Sequence, residues 1–299
     1  MTSLERWLAA LFLVLLPSCA RSAPAPAPAP APAAPPAPAA QGGPEAPAEV
    51  RFYALDCGRA DIKDMAAFGD NGPPRQLVAS CYLIRHPRGT LLWDTGISDA
   101  IAETKGGVVH PPSGIRFHVE TPLRERLRAL ELTPADVQYV AFSHLHVDHA
   151  GNANLFPTST WILQRRELEW ATATPPPPTI DPALISAYRE AKLKLLDGEA
   201  DLFGDGAVRV VPTPGHTPGH QSLIVRLRRA GTLVISGDLC HTHGNWQERR
   251  VPPFNTDREE SIRSMERIHA MIGATGARFV VQHEPDDLAA LPRFPAYLD

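Results

Sequence analysis

The chain predicts an α/β protein built in layers, and two observations carry that reading. Short apolar, β-branched runs recur after residue 49 and alternate with stretches of helical periodicity; strands interleaved with helices pack as sheets covered by helices. Residues 49–299 also contain enough apolar sequence for one large core, whereas the preceding segment does not.

Taken in order, strands are expected over residues 50–57, 78–86 and 90–94. A helix follows over 121–130, with Thr121 as cap and Pro122 at the first position, where a missing N–H costs nothing. Residues 137–142 form an apolar run and read as a buried strand. Residues 161–164 read as a further strand. Residues 167–173 and 183–196 read as two helices divided by Pro175-Pro176-Pro177-Pro178. Leu168, Trp170, Leu184, Ile185, Tyr188 and Leu195 in this stretch have the spacing of helix packing rather than of a channel wall. Strands are expected at 208–211, 222–227 and 232–235. A helix over 258–272, capped by Thr256 or Asp257, leads to a last strand at 278–282. The segment 101–119 is polar and glycine-containing, so it reads as a flexible loop at the mouth of a site, with His110 and His118 facing solvent.

The chemistry is concentrated in Ser143-His144-Leu145-His146-Val147-Asp148-His149-Ala150-Gly151, three imidazoles and a carboxylate within six positions. If 144–146 is extended, His144 and His146 share a face, because side chains alternate along a strand. Asp148 and His149 then leave the following turn toward a second point. Imidazole with carboxylate is a donor set for borderline-soft divalent ions such as zinc. More donors stand just past later strands. His216 lies in Thr213-Pro214-Gly215-His216-Thr217-Pro218-Gly219-His220, a loop its Gly and Pro residues tighten. Asp238 follows Ser236-Gly237, and His283 follows the last strand. Seven donors exceed one tetrahedral zinc, so two divalent ions are expected. His144, His146 and His216 would surround one, Asp148, His149 and His283 the other, with Asp238 shared. His220 reads as a hydrogen-bonding support instead.

The order His-x-His-x-Asp-His, then His, Asp and His, resembles that of the metallo-β-lactamase-fold hydrolases, over residues 50–299. Within them the chain is most similar to the N-acyl homoserine lactonase group. That narrower likeness rests on Tyr53-Ala54-Leu55-Asp56-Cys57-Gly58, Leu91-Leu92-Trp93-Asp94-Thr95-Gly96, Asp148-His149-Ala150-Gly151-Asn152 and Ser236-Gly237-Asp238. The resemblance implies an αββα sandwich with the ligands along one edge, and two ions, zinc by preference. It further implies opening of lactones, N-acyl homoserine lactones of the quorum-quenching type foremost, by a hydroxide bridging the ions. Asp148 would receive the water proton and pass it to the leaving oxygen. Asp94 resembles the superfamily carboxylate that orients a ligand imidazole, although a turn cap explains it equally well. The homoserine lactonases carry a Tyr over the substrate carbonyl three residues after the shared Asp; here that position is His241, read as catalytic in its place.

Other activities fit the same ligands: a metallo-β-lactamase, an organophosphate or aryl ester hydrolase, or a metal-binding protein without turnover. Asp238 argues against the first, whose members with this first His set lack a carboxylate there. A hydroxyacylglutathione hydrolase would need a basic clamp near the C-terminus, where Arg293 is the only late cation.

Residues 1–19 read as a signal peptide, with the apolar stretch 8–16 ending in Leu16-Pro17-Ser18-Cys19-Ala20, similar to a lipobox. Residues 20–48 form an Ala/Pro-rich tether of polyproline-II character. An exported, periplasmic protein held to the membrane by lipid on Cys19 is the expectation. No later segment is apolar for long enough to span a bilayer. A net charge of −4 gives no electrostatic case for nucleic acid, so the expected partner is a small lactone or ester. With Cys19 set aside, Cys57, Cys81 and Cys240 are an odd number, which argues against a disulfide framework. Cys57 and Cys81 lie on neighbouring strands and could pair in an oxidising compartment, but small buried apolar residues is the simpler reading.

Overall fold

The computed structural model describes residues 49–299; the signal-like stretch, Cys19 and the Ala-Pro run lie outside the described residues. Eight strands make the first sheet: β1 (Arg51–Ile62), β2 (Arg75–His86), β3 (Gly89–Trp93), β4 (Val108–Val109), β5 (Arg116–His118), β6 (Tyr139–Ala141), β7 (Thr160–Gln164) and β8 (Lys192–Leu196). Their order is β4-β5-β1-β2-β3-β6-β7-β8. Five more, β9 (Ala200–Asp201), β10 (Val208–Pro212), β11 (Gln221–Leu227), β12 (Gly231–Ile235) and β13 (Arg278–Val280), make the second in the order β13-β12-β11-β10-β9. Both sheets are mixed. The first turns parallel from β3 through β6 and β7 to β8, and the second only where β12 meets β13. The helices are α1 (Leu123–Ala129), α2 (Arg165–Ala171), α3 (His243–Glu248), α4 (Arg258–Thr275) and α5 (Pro285–Ala289).

Burial explains the layering. β2 and β11 are buried almost end to end because both faces of each are covered. Between the sheets, Phe52, Tyr82, Ile84, Leu91 and Trp93 pack against Val208, Val210, Leu223, Val225 and Ile235. The other face of the first sheet presents Leu55, Leu83, Leu92 and Trp161 to Leu123 and Leu127 of α1 and Leu168 of α2. The other face of the second presents Val211, Ile224 and Val234 to Met265 and Ile268 of α4. Helix, sheet, sheet, helix is the αββα sandwich.

Several elements differ from expectation. Residues 183–196 are not a helix: a short 3-10 turn, Ser186–Arg189, precedes β8, which pairs parallel with β7. Leu193 and Leu195 alternate with Lys192 and Lys194, and this period of two lays the leucines on the core between the first sheet and helices α1 and α2. Leu168 and Ile185 are buried in that core and Trp170, Tyr188 and Leu195 pack against it, whereas Leu184 does not join it. Helix α1 starts at Leu123, and neither Thr121 nor Pro122 caps it with a side chain. Asp99, from a distant turn, accepts the N–H groups of Leu123 at 2.7 Å and Arg124 at 3.2 Å. Asp257 caps α4 by accepting the Glu260 N–H at 2.8 Å. Segment 101–119 is not a plain loop, since it contributes β4 and β5. His118 lies on β5 and bonds Asp61 at 2.6 Å instead of facing solvent. Cys57 and Cys81 are joined in a disulfide with Cα atoms 5.8 Å apart, which overturns their reading as separate buried residues. Pairing of β1 with β2 brings them together beside a register shift between Asp56 and Arg59. Among the described residues, no helix is long and apolar enough to cross a membrane.

Candidate metal centre

The seven donors converge at one edge of the sandwich, just beyond the ends of β6, β10, β12 and β13. The loop after β6 is turned sharply: His149 N–H and Ala150 N–H both bond the His146 carbonyl, at 3.0 and 2.8 Å. Gly151 then runs against the loop after β3, where a Cβ would stand 2.6 Å from Gly96 O and 2.5 Å from Ser98 N.

Two groups result. In the first, His216 Nε2 lies 3.2 Å from His144 Nε2, 3.0 Å from His146 Nδ1 and 3.2 Å from Asp238 Oδ2. In the second, His149 Nε2 and His283 Nε2 are 3.1 Å apart, with Asp148 Oδ2 at 4.0 and 3.9 Å from them. Asp238 faces both groups. Its Oδ2 turns to the first, while its Oδ1 lies 3.1 Å from His149 Nε2 and 2.9 Å from His283 Nε2.

The partners behind these rings decide what the facing nitrogens carry. His149 Nδ1 is 2.9 Å from Asp94 Oδ2, His283 Nδ1 is 2.7 Å from Val78 O, and His216 Nδ1 is 3.0 Å from Asn255 Oδ1. Each partner is an acceptor, so each Nδ1 holds a ring hydrogen, and in the neutral ring each Nε2 points a lone pair inward. Buried lone pairs 3.0–3.2 Å apart repel unless a cation lies between them. That donor set fits divalent ions.

Electrostatics divide the two groups: His144 and His146 stay neutral, whereas His149 and His283 hold a second proton that a metal would displace. Burial, then the neighbouring imidazoles, holds His144 and His146 well below the ordinary histidine range, in the neutral form a metal requires. Burial works against charge at His149 and His283 too, but the carboxylates outweigh it. Asp238, Asp148 and Asp94 push His149 well above its usual value, and Asp238 pushes His283 up. Asp238 itself sits well below the carboxylate range despite burial, because His149, His283 and His241 surround it. The site attracts positive charge.

Asp94 is a support and not merely a turn cap. Besides His149 it accepts Ser143 N–H at 2.7 Å, Ser143 Oγ–H at 2.8 Å and Gln282 Nε2–H at 2.7 Å. It holds this pose at φ 56, a left-handed conformation costly for a residue with a Cβ. His220 donates from Nδ1 to Thr213 O at 2.9 Å and accepts the Asp238 N–H on Nε2 at 2.7 Å, so it fixes the backbone of the shared carboxylate. His241 is buried, its Nε2 3.0 Å from Asp238 Oδ2 and its Nδ1 without a partner among the described residues. Phe68 and Phe254 meet its ring edge-on. His243 turns away to Asp287. Sequence reasoning passed over Gln282 and Asn255: Gln282 reads only as the end of the last strand, and Asn255 lies 39 residues beyond His216. A cavity of about 500 Å³ opens over the site, and Ile62, Phe68, Ile115, Phe117 and Phe254 give it apolar walls. His110 and Ser113 of segment 101–119 stand at this cavity, so that segment does flank the site.

A two-sheet sandwich with His and Asp donors gathered on one edge defines a class of metal-dependent hydrolases. Residues 74–271 match the sequence model of the "Metallo-beta-lactamase superfamily". The chain belongs to that superfamily and is homologous to its N-acyl homoserine lactonases. N-acyl homoserine lactonase AttM of Azorhizobium caulinodans is 32% identical over 268 residues, spanning 84% of this chain and 99% of the relative. A crystal structure described as a quorum-quenching N-acyl homoserine lactone hydrolase shares the fold with a TM-score of 0.72 at 24% identity, covering 86% of this chain and 99% of the other. A second, AidC, described as a dizinc quorum-quenching lactonase in complex with a product, reaches a TM-score of 0.62 at 19% identity over 83% and 90% of the two chains.

Proposed function

We propose that the chain is a dinuclear lactonase acting on N-acyl homoserine lactones. The observation that carries this reading is Asp238, one carboxylate with an oxygen turned to each donor group. His144, His146 and His216 would hold one ion, Asp148, His149 and His283 the other, and zinc suits the imidazole and carboxylate donors. Bound there, the ions supply Lewis acidity toward a carbonyl oxygen and a hydroxide at neutral pH.

The protein's own groups do the rest. Asp148 is partly exposed at the cavity, where it can accept the proton of the attacking water and return it to the ring oxygen as the ester bond breaks. Burial first of all brings His241 down to about 4, so at neutral pH it is an uncharged donor. With Asp238 Oδ2 engaged by a cation, the Nε2–H of His241 is free to donate to the oxygen on which charge develops. In a lactone the leaving oxygen stays attached to the acyl part, and no separate alcohol needs a pocket. The apolar walls suit an acyl chain. A β-lactam carboxylate has less to meet, because among the described residues Lys63 is the only Lys or Arg on the cavity wall, and Asp61, Asp64, Asp148 and Asp238 share it.

Purified protein reconstituted with zinc should open homoserine lactones faster than it hydrolyses aliphatic lactones, a cephalosporin or a phosphotriester, and chelation should abolish the activity. A preference for the phosphotriester or the cephalosporin would replace the substrate assignment. No turnover of any of the four by the fully loaded protein would make it a metal-binding protein instead. The leader, Cys19 and the Ala-Pro run support a further part of the reading, an exported enzyme tethered through lipid on Cys19.

A further inference from the structure

Glu167 faces neither donor group, yet its carboxylate touches both loops that build the first one. It stands in the first turn of α2 with no exposed surface. Its Oε1 accepts the N–H of Leu145 at 2.9 Å, between His144 and His146. Its Oε2 accepts the Thr217 hydroxyl at 2.6 Å and the Gly219 N–H at 3.1 Å, on the loop that presents His216. The two loops leave different sheets, one after β6 and the other after β10. One carboxylate thus ties a loop of the first sheet to a loop of the second.

The arrangement is costly to keep. A buried carboxylate loses its hydration, and only its three donors compensate. A Cβ on Gly219 would lie 2.2 Å from Glu167 N and 2.5 Å from its Cβ, so only glycine lets the loop come this close. A brace meant for the fold alone could be apolar, as α1 and α4 show with leucine, methionine and isoleucine. A carboxylate with three directed contacts sets distances instead.

We infer that Glu167 is a positioning residue, which sets the spacing of His144 and His146 against His216 and through it the metal affinity of that group. The inference rests on reading the group as a metal site. Asp148, His149 and His283 have no bond to Glu167 and serve as the internal control.

Glu167→Gln keeps the shape but turns one acceptor into an NH2 facing a donor. Zinc affinity measured in competition with a chromophoric chelator reads the effect without activity. Wild-type protein should hold two ions, and the folded variant should hold one of them about 10- to 100-fold more weakly, with the other unchanged. Unchanged affinity for both ions would overturn the inference, and so would equal weakening of both. Wild-type protein that holds no ion would overturn the metal reading along with it. If Glu167→Gln does not fold, Thr217→Val removes one of the three donors and leaves the two backbone contacts in place. It should weaken the same ion by about tenfold, and a folded Thr217→Val protein with both affinities intact would overturn the inference equally.

Discussion

At the scale of single residues, His241 and His220 flank the same carboxylate with opposite duties. His241 faces the cavity, and removal of one donor to a developing oxyanion costs on the order of a hundredfold in turnover. His241→Phe should therefore lower kcat for a lactone by about that factor while two ions stay bound. Unchanged kcat in the loaded variant would make His241 a wall residue, and loss of an ion would make it a ligand. His220 is sealed from the cavity, and burial above all holds it down to about 3. An unfolded histidine titrates near 6.5, so below that pH the unfolded chain binds a proton that the folded protein refuses. Stability from this group is complete above about 6.5 and drains away as the pH falls toward 3, at about 1.4 kcal/mol per pH unit. His220→Gln keeps an acceptor for the Asp238 N–H and a donor for Thr213 O without titrating. The Tm of the metal-free variant should fall less steeply than wild type between about pH 6.5 and 4. Parallel curves would remove His220 from the acid response.

At the scale of elements, the site depends on loops docked against helices they do not continue into. The loop bearing His216 lies on the start of α4: Asp257 N–H bonds Gly215 O at 2.9 Å, and Thr256 N–H bonds His216 O at 3.1 Å. Gly215 sits at φ +132, and a Cβ there would meet Ser261 N at 2.3 Å. Gly215→Ala should push the loop off α4, lower stability by about 1–3 kcal/mol and weaken the ion held by His216. A thermal melt with elemental analysis reads both, and a variant with wild-type Tm and two ions would show that the loop yields at no cost. Much of the element map was legible beforehand, because β7, β10, β11, β12 and α4 announce themselves by local period. Residues 183–196 did not, since the lysines and leucines of β8 suit an amphipathic helix until β7 supplies a strand to pair with. The cap of α1 was equally hidden, as Asp99 lies 24 residues before the N–H it accepts.

At the scale of the whole chain, the Ala-Pro run lies in the sequence between Cys19 and the domain of residues 49–299, and the proposed lipid anchor can be tested apart from that domain. Cys19→Ser in the full-length protein should shift it from the membrane fraction to the soluble fraction with lactone hydrolysis unchanged. Retention in the membrane fraction would replace the lipid anchor with an uncleaved leader.

The sequence by itself determined which donors the protein offers and where they stand, at the ends of strands. Both follow from local patterns, the alternation of apolar residues and the loops that interrupt it. What only the tertiary structure decided is how those donors meet. His144 and His216 are 72 residues apart, His149 and His283 134 apart, and their separations depend on how two sheets face each other. The same packing chose the ring nitrogen each histidine turns inward, split Asp238 between two groups, paired Cys57 with Cys81 and placed Glu167 between the loops. Contacts between residues this distant are made by the core that brings their strands together, and no local pattern records them.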